Sequence, residues 1–173
     1  MAVKTIFLDR DGVVNRRILD GYVTTIQDLE ILEGVPEGLG LLSKAGYRLV
    51  VITNQRGIAL GLYDEEDLKK IHNHLSEVLL KEGVNLVEFY FCPHDRHDHC
   101  GCRKPLPGLI DQAAANRNIL WSESYLIGDS DSDLLAGMAR DLRVIKIGKI
   151  ESVIPNARYN SLFEAAKAIT DSA

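Results

Sequence analysis

Val3-Lys4-Thr5-Ile6-Phe7-Leu8-Asp9-Arg10-Asp11-Gly12 is the stretch that decides the fold: an apolar run ending in two acids, then a glycine. Side chains alternate along a strand, so positions i and i+2 lie on one side. Asp9 and Asp11 can therefore converge on one small volume where the strand runs out, and Gly12 lets the chain turn away behind them. Two carboxylates so placed, one a nucleophile and one a general acid/base, suit phosphate-ester cleavage through an aspartyl-phosphate. An acid-rich strand end is also an ordinary loop start, so the rest of the chain has to decide between the two readings.

Working outward, further β-rich apolar runs occur at Arg48–Ile52, Leu86–Phe91, Ser124–Ile127 and Arg143–Ile147. Between them lie stretches with helical spacing. Val35–Ala45 has Pro36 near its start and Gly46 just beyond its end, the usual asymmetry of a helix. Asp64–Lys81 aligns Leu68, Ile71, Leu75, Leu79 and Leu80 on one face, with acids first and lysines later. Pro107–Arg117, Asp131–Arg140 and Ser161–Ile169 are shorter helix candidates. Strands alternating with helices predict an α/β fold, an open parallel sheet covered on both faces, with its ligand site beyond the carboxyl ends of the strands. The 173 residues read as one domain, residues 1–173, with no stretch long enough for a separate cap domain.

Composition narrows the function classes. A net charge of −5 offers no basic footprint for nucleic acid, and no apolar run approaches the ~20 residues of a membrane span. No charged-then-apolar leader precedes the first strand, so a cytoplasmic protein is expected. Three cysteines, two of them in Cys100-Gly101-Cys102, fit a metal site better than a disulfide framework.

The other strand ends carry polar groups too. Thr53-Asn54-Gln55 follows the second strand, and its hydroxyl and backbone N–H groups suit phosphate oxygens, although a plain turn has the same composition. Gly128-Asp129-Ser130-Asp131-Ser132-Asp133 follows the fourth; a helix N-cap accounts for part of it, but three acids in five residues exceed what a cap requires. Asp9 and Asp129 together would hold a hard cation such as Mg²⁺. Arg103-Lys104, beyond the third strand, supplies positive charge for phosphoryl transfer.

Cys92-Pro93-His94 and Cys100-Gly101-Cys102 form a second constellation. Three thiolates and an imidazole suit tetrahedral Zn²⁺, and four protein ligands make a closed, structural site. Cys92, His94, Cys100 and Cys102 are the expected ligands, with His97 and His99 as competitors inside the loop. Zinc there would staple the loop and present Arg103 and Lys104 directly after the last ligand.

Asp9 with Asp11, then Thr53, Lys104 and Asp129 with Asp133, in this order, resemble the four motifs of the haloacid dehalogenase superfamily of phosphatases. The resemblance covers roughly Ile6 to Ile147. It implies a three-layer Rossmann-like sheet of order 5-4-1-2-3. Asp9 would be the nucleophile, Asp11 the acid/base, and Thr53 and Lys104 would complete the catalytic set. Mg²⁺ would be held by Asp9, Asp129 and the Asp11 backbone carbonyl. Phe7–Gly12, Thr53-Asn54-Gln55 and Cys100-Gly101-Cys102-Arg103-Lys104-Pro105 further resemble the zinc-loop branch, whose members act on heptose bisphosphates or histidinol phosphate. Gly21-Tyr22-Val23 and Gly57–Gly61 lean toward the sugar enzymes, whereas the five residues between His94 and Cys100 lean toward the histidinol-phosphate ones. Asn54, Gln55, Arg56, Arg103 and Lys104 are expected to bind substrate, a small phosphorylated sugar, and the protein is expected to act as a monomer. His72 and His74 read as surface or packing residues. A zinc-stabilised binding module without turnover is the competing reading.

Overall fold

The computed structural model describes residues 2–85 and 87–172; Leu86, where the expected third strand begins, and Ala173 lie outside the described residues. Strands are β1 (Thr5–Leu8), β2 (Arg48–Asn54), β3 (Val87–Cys92), β4 (Tyr125–Gly128), β5 (Arg143–Ile147) and β6 (Ala157–Tyr159). Helices are α1 (Val35–Lys44), α2 (Glu65–Lys81), α3 (Gly108–Ala114), α4 (Asp131–Met138) and α5 (Leu162–Asp171). The sheet is parallel throughout, in the order β3-β2-β1-β4-β5-β6.

The period-two alternation separates two cores. Ile6, Leu8, Leu49, Val51 and Ile127 face Leu39 and Leu42 of α1, Leu75 and Leu79 of α2, and Ala165 and Ile169 of α5. Phe7, Val50, Ile52, Leu126 and Val144 face Leu109 and Ile110 of α3 and Leu134 of α4. Helix–sheet–helix layering follows, because strands buried on both faces need cover on both. Local chemistry sets the helix bounds: Asp64 caps α2 by accepting from Asp67 N, and Pro36 sits in the first turn of α1.

The expected order 5-4-1-2-3 holds for the first five strands, and β6 extends the sheet beyond β5. That strand was not expected: it is three residues long, with Arg158 exposed at its centre, so it lacks an apolar run. Its partner supplies the order instead, through the register Ile145↔Ala157 and Ile147↔Tyr159. The chain crosses from one half of the sheet to the other on passing from β3 to β4, which puts the switch point between the neighbouring strands β1 and β4. Open α/β sheets place their crevice at such a switch point. Among the described residues, no helix is long and apolar enough to cross a membrane.

Candidate active site and metal centres

At the switch point the carboxyl ends of β1, β2 and β4 surround a cavity of about 270 Å³. Asp9, Asp11, Thr53, Asn54, Arg56, Arg103, Lys104, Asp129 and Asp133 line it. Sequence positions up to 124 apart thus meet because parallel strands all end on one side.

Lys104 anchors the floor. Its ammonium lies 2.7 Å from Asp9 Oδ1, 2.6 Å from Asp133 Oδ1 and 2.7 Å from the Ile52 carbonyl. Asn54 fixes the lysine's backbone from both sides: its Nδ2 donates to Lys104 O (3.1 Å), and Lys104 N donates to its Oδ1 (3.0 Å). Burial pulls the lysine's pKa down, but Asp133 and Asp9 more than offset this and hold it above the ordinary value. Asp9 is raised well above the usual carboxylate range by burial, then by Asp133, Asp129 and Asp11, against the opposing pull of Lys104. A cation beside it would keep it ionised.

The acids after β4 divide their work. Asp133 Oδ2 accepts from Asp129 N, Ser130 N and Ser130 Oγ at 3.2, 3.0 and 2.7 Å, which caps α4. Asp131 Oδ2 accepts from the Ser152 and Val153 amides and points away from the cavity. Asp129 is left to face Asp9. Its Oδ2 accepts from Arg17 at 3.0 Å, while its buried Oδ1 has no hydrogen-bond partner. Carboxylate oxygens of Asp9, Asp129 and Asp133 lie within 4.8 Å of one another. Because both Asp133 oxygens are occupied, Asp9 and the orphaned Asp129 oxygen are the ligands that fit a hard cation. Gly12 is required here: its φ is +99°, and a Cβ on it would sit 2.1 Å from Asp129 Oδ2.

Asp11 stands outside that cluster. Its Oδ1 accepts from Arg10 Nη2 and Asn15 Nδ2, each at 2.9 Å; its Oδ2 accepts from Arg10 Nη2 at 3.1 Å and Gln55 Nε2 at 3.0 Å. Burial works to raise its pKa, but the Arg10 charge and these hydrogen bonds outweigh burial and hold it below the usual value. Gln55, expected to bind substrate, is buried and absent from the cavity wall. Its amide also donates to Thr53 Oγ1 (2.8 Å), and its carbonyl accepts from the Tyr63 hydroxyl. It braces the two catalytic candidates on either side of it. The i, i+2 spacing of Thr53 and Gln55 was the available signal for that.

Arg56 lines the cavity and pairs with Asp95 at 2.5 Å, tying the β2 end to the cysteine loop; Arg103 lines it too, donating to the His94 carbonyl at 3.3 Å. Arg17 and Arg96 also line it and were not expected. Nothing local distinguishes Arg17 from its neighbour Arg16, which instead pairs with Glu30.

Cys92, His94, Cys100 and Cys102 bring their donor atoms within 4.8 Å of one another, and the three thiols are free. Cys92 and Cys100 sulfurs are 3.6 Å apart, and His94 Nδ1 is 3.2 Å from Cys102 Sγ. A tetrahedron with metal–sulfur bonds of about 2.3 Å has edges of about 3.8 Å, so the set fits a tetrahedral ion. Burial pushes the Cys92 thiol up to about 12, so it ionises only beside a cation. His97 and His99 are not in the cluster.

A model of the polynucleotide kinase 3 phosphatase family matches residues 5–142. The D-glycero-beta-D-manno-heptose-1,7-bisphosphate 7-phosphatase of Helicobacter pylori (strain ATCC 700392 / 26695) is 46% identical over 136 residues, spanning 78% of each chain. The D-glycero-alpha-D-manno-heptose-1,7-bisphosphate 7-phosphatase of Mycobacterium tuberculosis (strain CDC 1551 / Oshkosh) is 38% identical over 171 residues, 95% of this chain and 90% of that one. The crystal structure of D,D-heptose 1,7-bisphosphate phosphatase from B. bronchiseptica, complexed with magnesium and phosphate, superposes with a TM-score of 0.89 at 29% identity, covering 99% of this chain and all of the other.

Proposed function

The chain belongs to the polynucleotide kinase 3 phosphatase family of the haloacid dehalogenase superfamily, and on that premise we propose that it is a Mg²⁺-dependent phosphatase removing the C7 phosphate of D-glycero-D-manno-heptose 1,7-bisphosphate. The charge layout of one cavity carries this reading. A buried floor of Asp9, Lys104, Thr53 and Asp133 receives the phosphate being cut, and a more exposed wall of Arg17, Arg56, Arg96 and Arg103 receives a second phosphate. Histidinol phosphate would bring a cationic amine among four guanidiniums, an unfavourable pairing.

Asp9, Asp129 and the Asp11 backbone carbonyl would hold Mg²⁺, which would supply positive charge to the phosphate oxygens and keep Asp9 ionised. Asp9 attacks phosphorus and becomes an aspartyl-phosphate. Lys104 holds its carboxylate in place and, with Thr53 and Asn54, steadies the phosphoryl oxygens. Asp11 rests as a carboxylate, and the arriving phosphate raises its pKa by like-charge repulsion, so that it takes up a proton from solvent as substrate binds. It then gives a proton to the leaving sugar oxygen and afterwards takes one from the water that splits the aspartyl-phosphate. Cys92, His94, Cys100 and Cys102 would hold Zn²⁺ in a structural role, fixing the loop that precedes Arg103 and Lys104.

The test is product analysis by ³¹P NMR after incubation with the 1,7-bisphosphate and Mg²⁺, with Asp9→Asn as the blank. Loss of the C7 resonance with the C1 resonance intact supports the reading. Loss of C1 phosphate, or no loss against the blank, contradicts it.

A further inference from the structure

We propose that Arg10 and His72 are positioning residues for proton transfer, the His72 ring setting the Arg10 guanidinium and the guanidinium setting the Asp11 carboxylate. This rests on the phosphatase reading above.

Arg10 is fully buried, and Asp11 is its one carboxylate partner among the described residues. A buried charge is expensive unless paired and hydrogen-bonded. Here the pairing is spent on the acid/base candidate rather than on a structural acid. Arg10 Nη2 reaches both Asp11 oxygens, at 2.9 and 3.1 Å, whereas Asn15 and Gln55 each reach one. It therefore fixes the rotation of the carboxylate plane, which neither amide alone can do.

The guanidinium is itself held from behind. Its Nη1 lies 3.2 Å from His72 Nε2, and since arginine only donates, that ring nitrogen accepts. His72, on α2, is 6% exposed and stacks on Phe89 of β3 with centroids 4.4 Å apart and planes 17° apart. Burial, with the Arg10 charge, pushes its pKa down to about 3, so the acceptor persists across the working range. An α2 residue read from the sequence as surface or packing thus ends two hydrogen bonds from the acid/base.

The step concerned is the first. An Asp9 oxygen bonds to phosphorus, the bond from phosphorus to the sugar oxygen breaks, its electron pair stays on that oxygen, and the Asp11 proton moves there. A sugar alkoxide is a poor leaving group without that proton, whereas 4-nitrophenolate leaves without help. Misplacing Asp11 should slow the sugar ester selectively, by a share of the ~10²–10⁴-fold that general acid catalysis supplies.

The experiment is single-turnover cleavage, with enzyme in excess and Mg²⁺ present, of heptose 1,7-bisphosphate and of 4-nitrophenyl phosphate. His72→Leu is expected to slow release from the sugar about 10- to 100-fold and to leave 4-nitrophenol release within about twofold. His72→Gln, which restores an acceptor, is expected to recover most of the sugar rate. Equal slowing of both substrates, or no difference between the Leu and Gln variants, overturns the proposal. If His72→Leu does not fold, Phe89→Leu loosens the same ring and is expected to shift the same rate ratio, an unchanged ratio being the overturning result. Turnover of the bisphosphate by the native protein tests the underlying reading separately.

Discussion

Lys104→Met removes one ammonium and keeps most of the side chain's volume. The native Nζ lies within 2.7 Å of Asp9, Asp133 and the Ile52 carbonyl, and the side chain is 3% exposed. Breaking a buried pair from one side leaves the other charge unpaired, at about 3–5 kcal/mol. For a chain of this size that corresponds to a fall in Tm of about 6–20 °C at pH 7. The pH dependence has a definite sign. Burial and Asp133 already hold Asp9 above its ordinary value against the pull of Lys104, and removing the lysine raises it further. A carboxyl whose folded pKa is raised contributes stability below its unfolded value and loses it as pH rises through the folded one. The variant's deficit should therefore be largest at pH 7 and shrink on acidification toward pH 5. Thermal melts by circular dichroism in Mg²⁺-free buffer at both pH values measure it. Phosphate release should fall by about 10²–10³-fold as a preorganised cation is lost. A variant as stable as the native protein at pH 7, or one whose deficit grows on acidification, refutes the reasoning.

Cys92→Ser with Cys102→Ser should leave the protein without zinc by metal analysis and lower its Tm; full zinc content or unchanged stability contradicts the structural-zinc reading. Arg56→Ala should raise KM for the bisphosphate about tenfold, one charge-assisted hydrogen bond, with kcat little changed; an unchanged KM rules out substrate contact. Gly12→Ala places a methyl 2.1 Å from Asp129 Oδ2 at φ +99°. Titration calorimetry should then show Mg²⁺ affinity at least tenfold weaker than in the native protein.

What was legible follows from how each signal is encoded. β1 and its two acids could be read because alternation and composition change at a single point, Leu8-Asp9. The cluster of three cysteines with His94 could be read because its spacing is local. β6 could not, since Ala157–Tyr159 is held by its pairing with β5 rather than by its own pattern. Gln55 shows the limit at a strand end, where a polar residue can face substrate or brace its neighbours. Tyr63, eight residues on, holds it in the bracing position. Arg17 and His72 act across 112 and 62 residues, on Asp129 and Arg10, and no local pattern marks either pair.

The most direct test of the account is kcat/KM with Mg²⁺ for both anomers of heptose 1,7-bisphosphate against histidinol phosphate. One heptose bisphosphate anomer should exceed histidinol phosphate by at least tenfold if the arginine wall receives its second phosphate as proposed. Equal values, or a preference for histidinol phosphate, would contradict that assignment of the cavity.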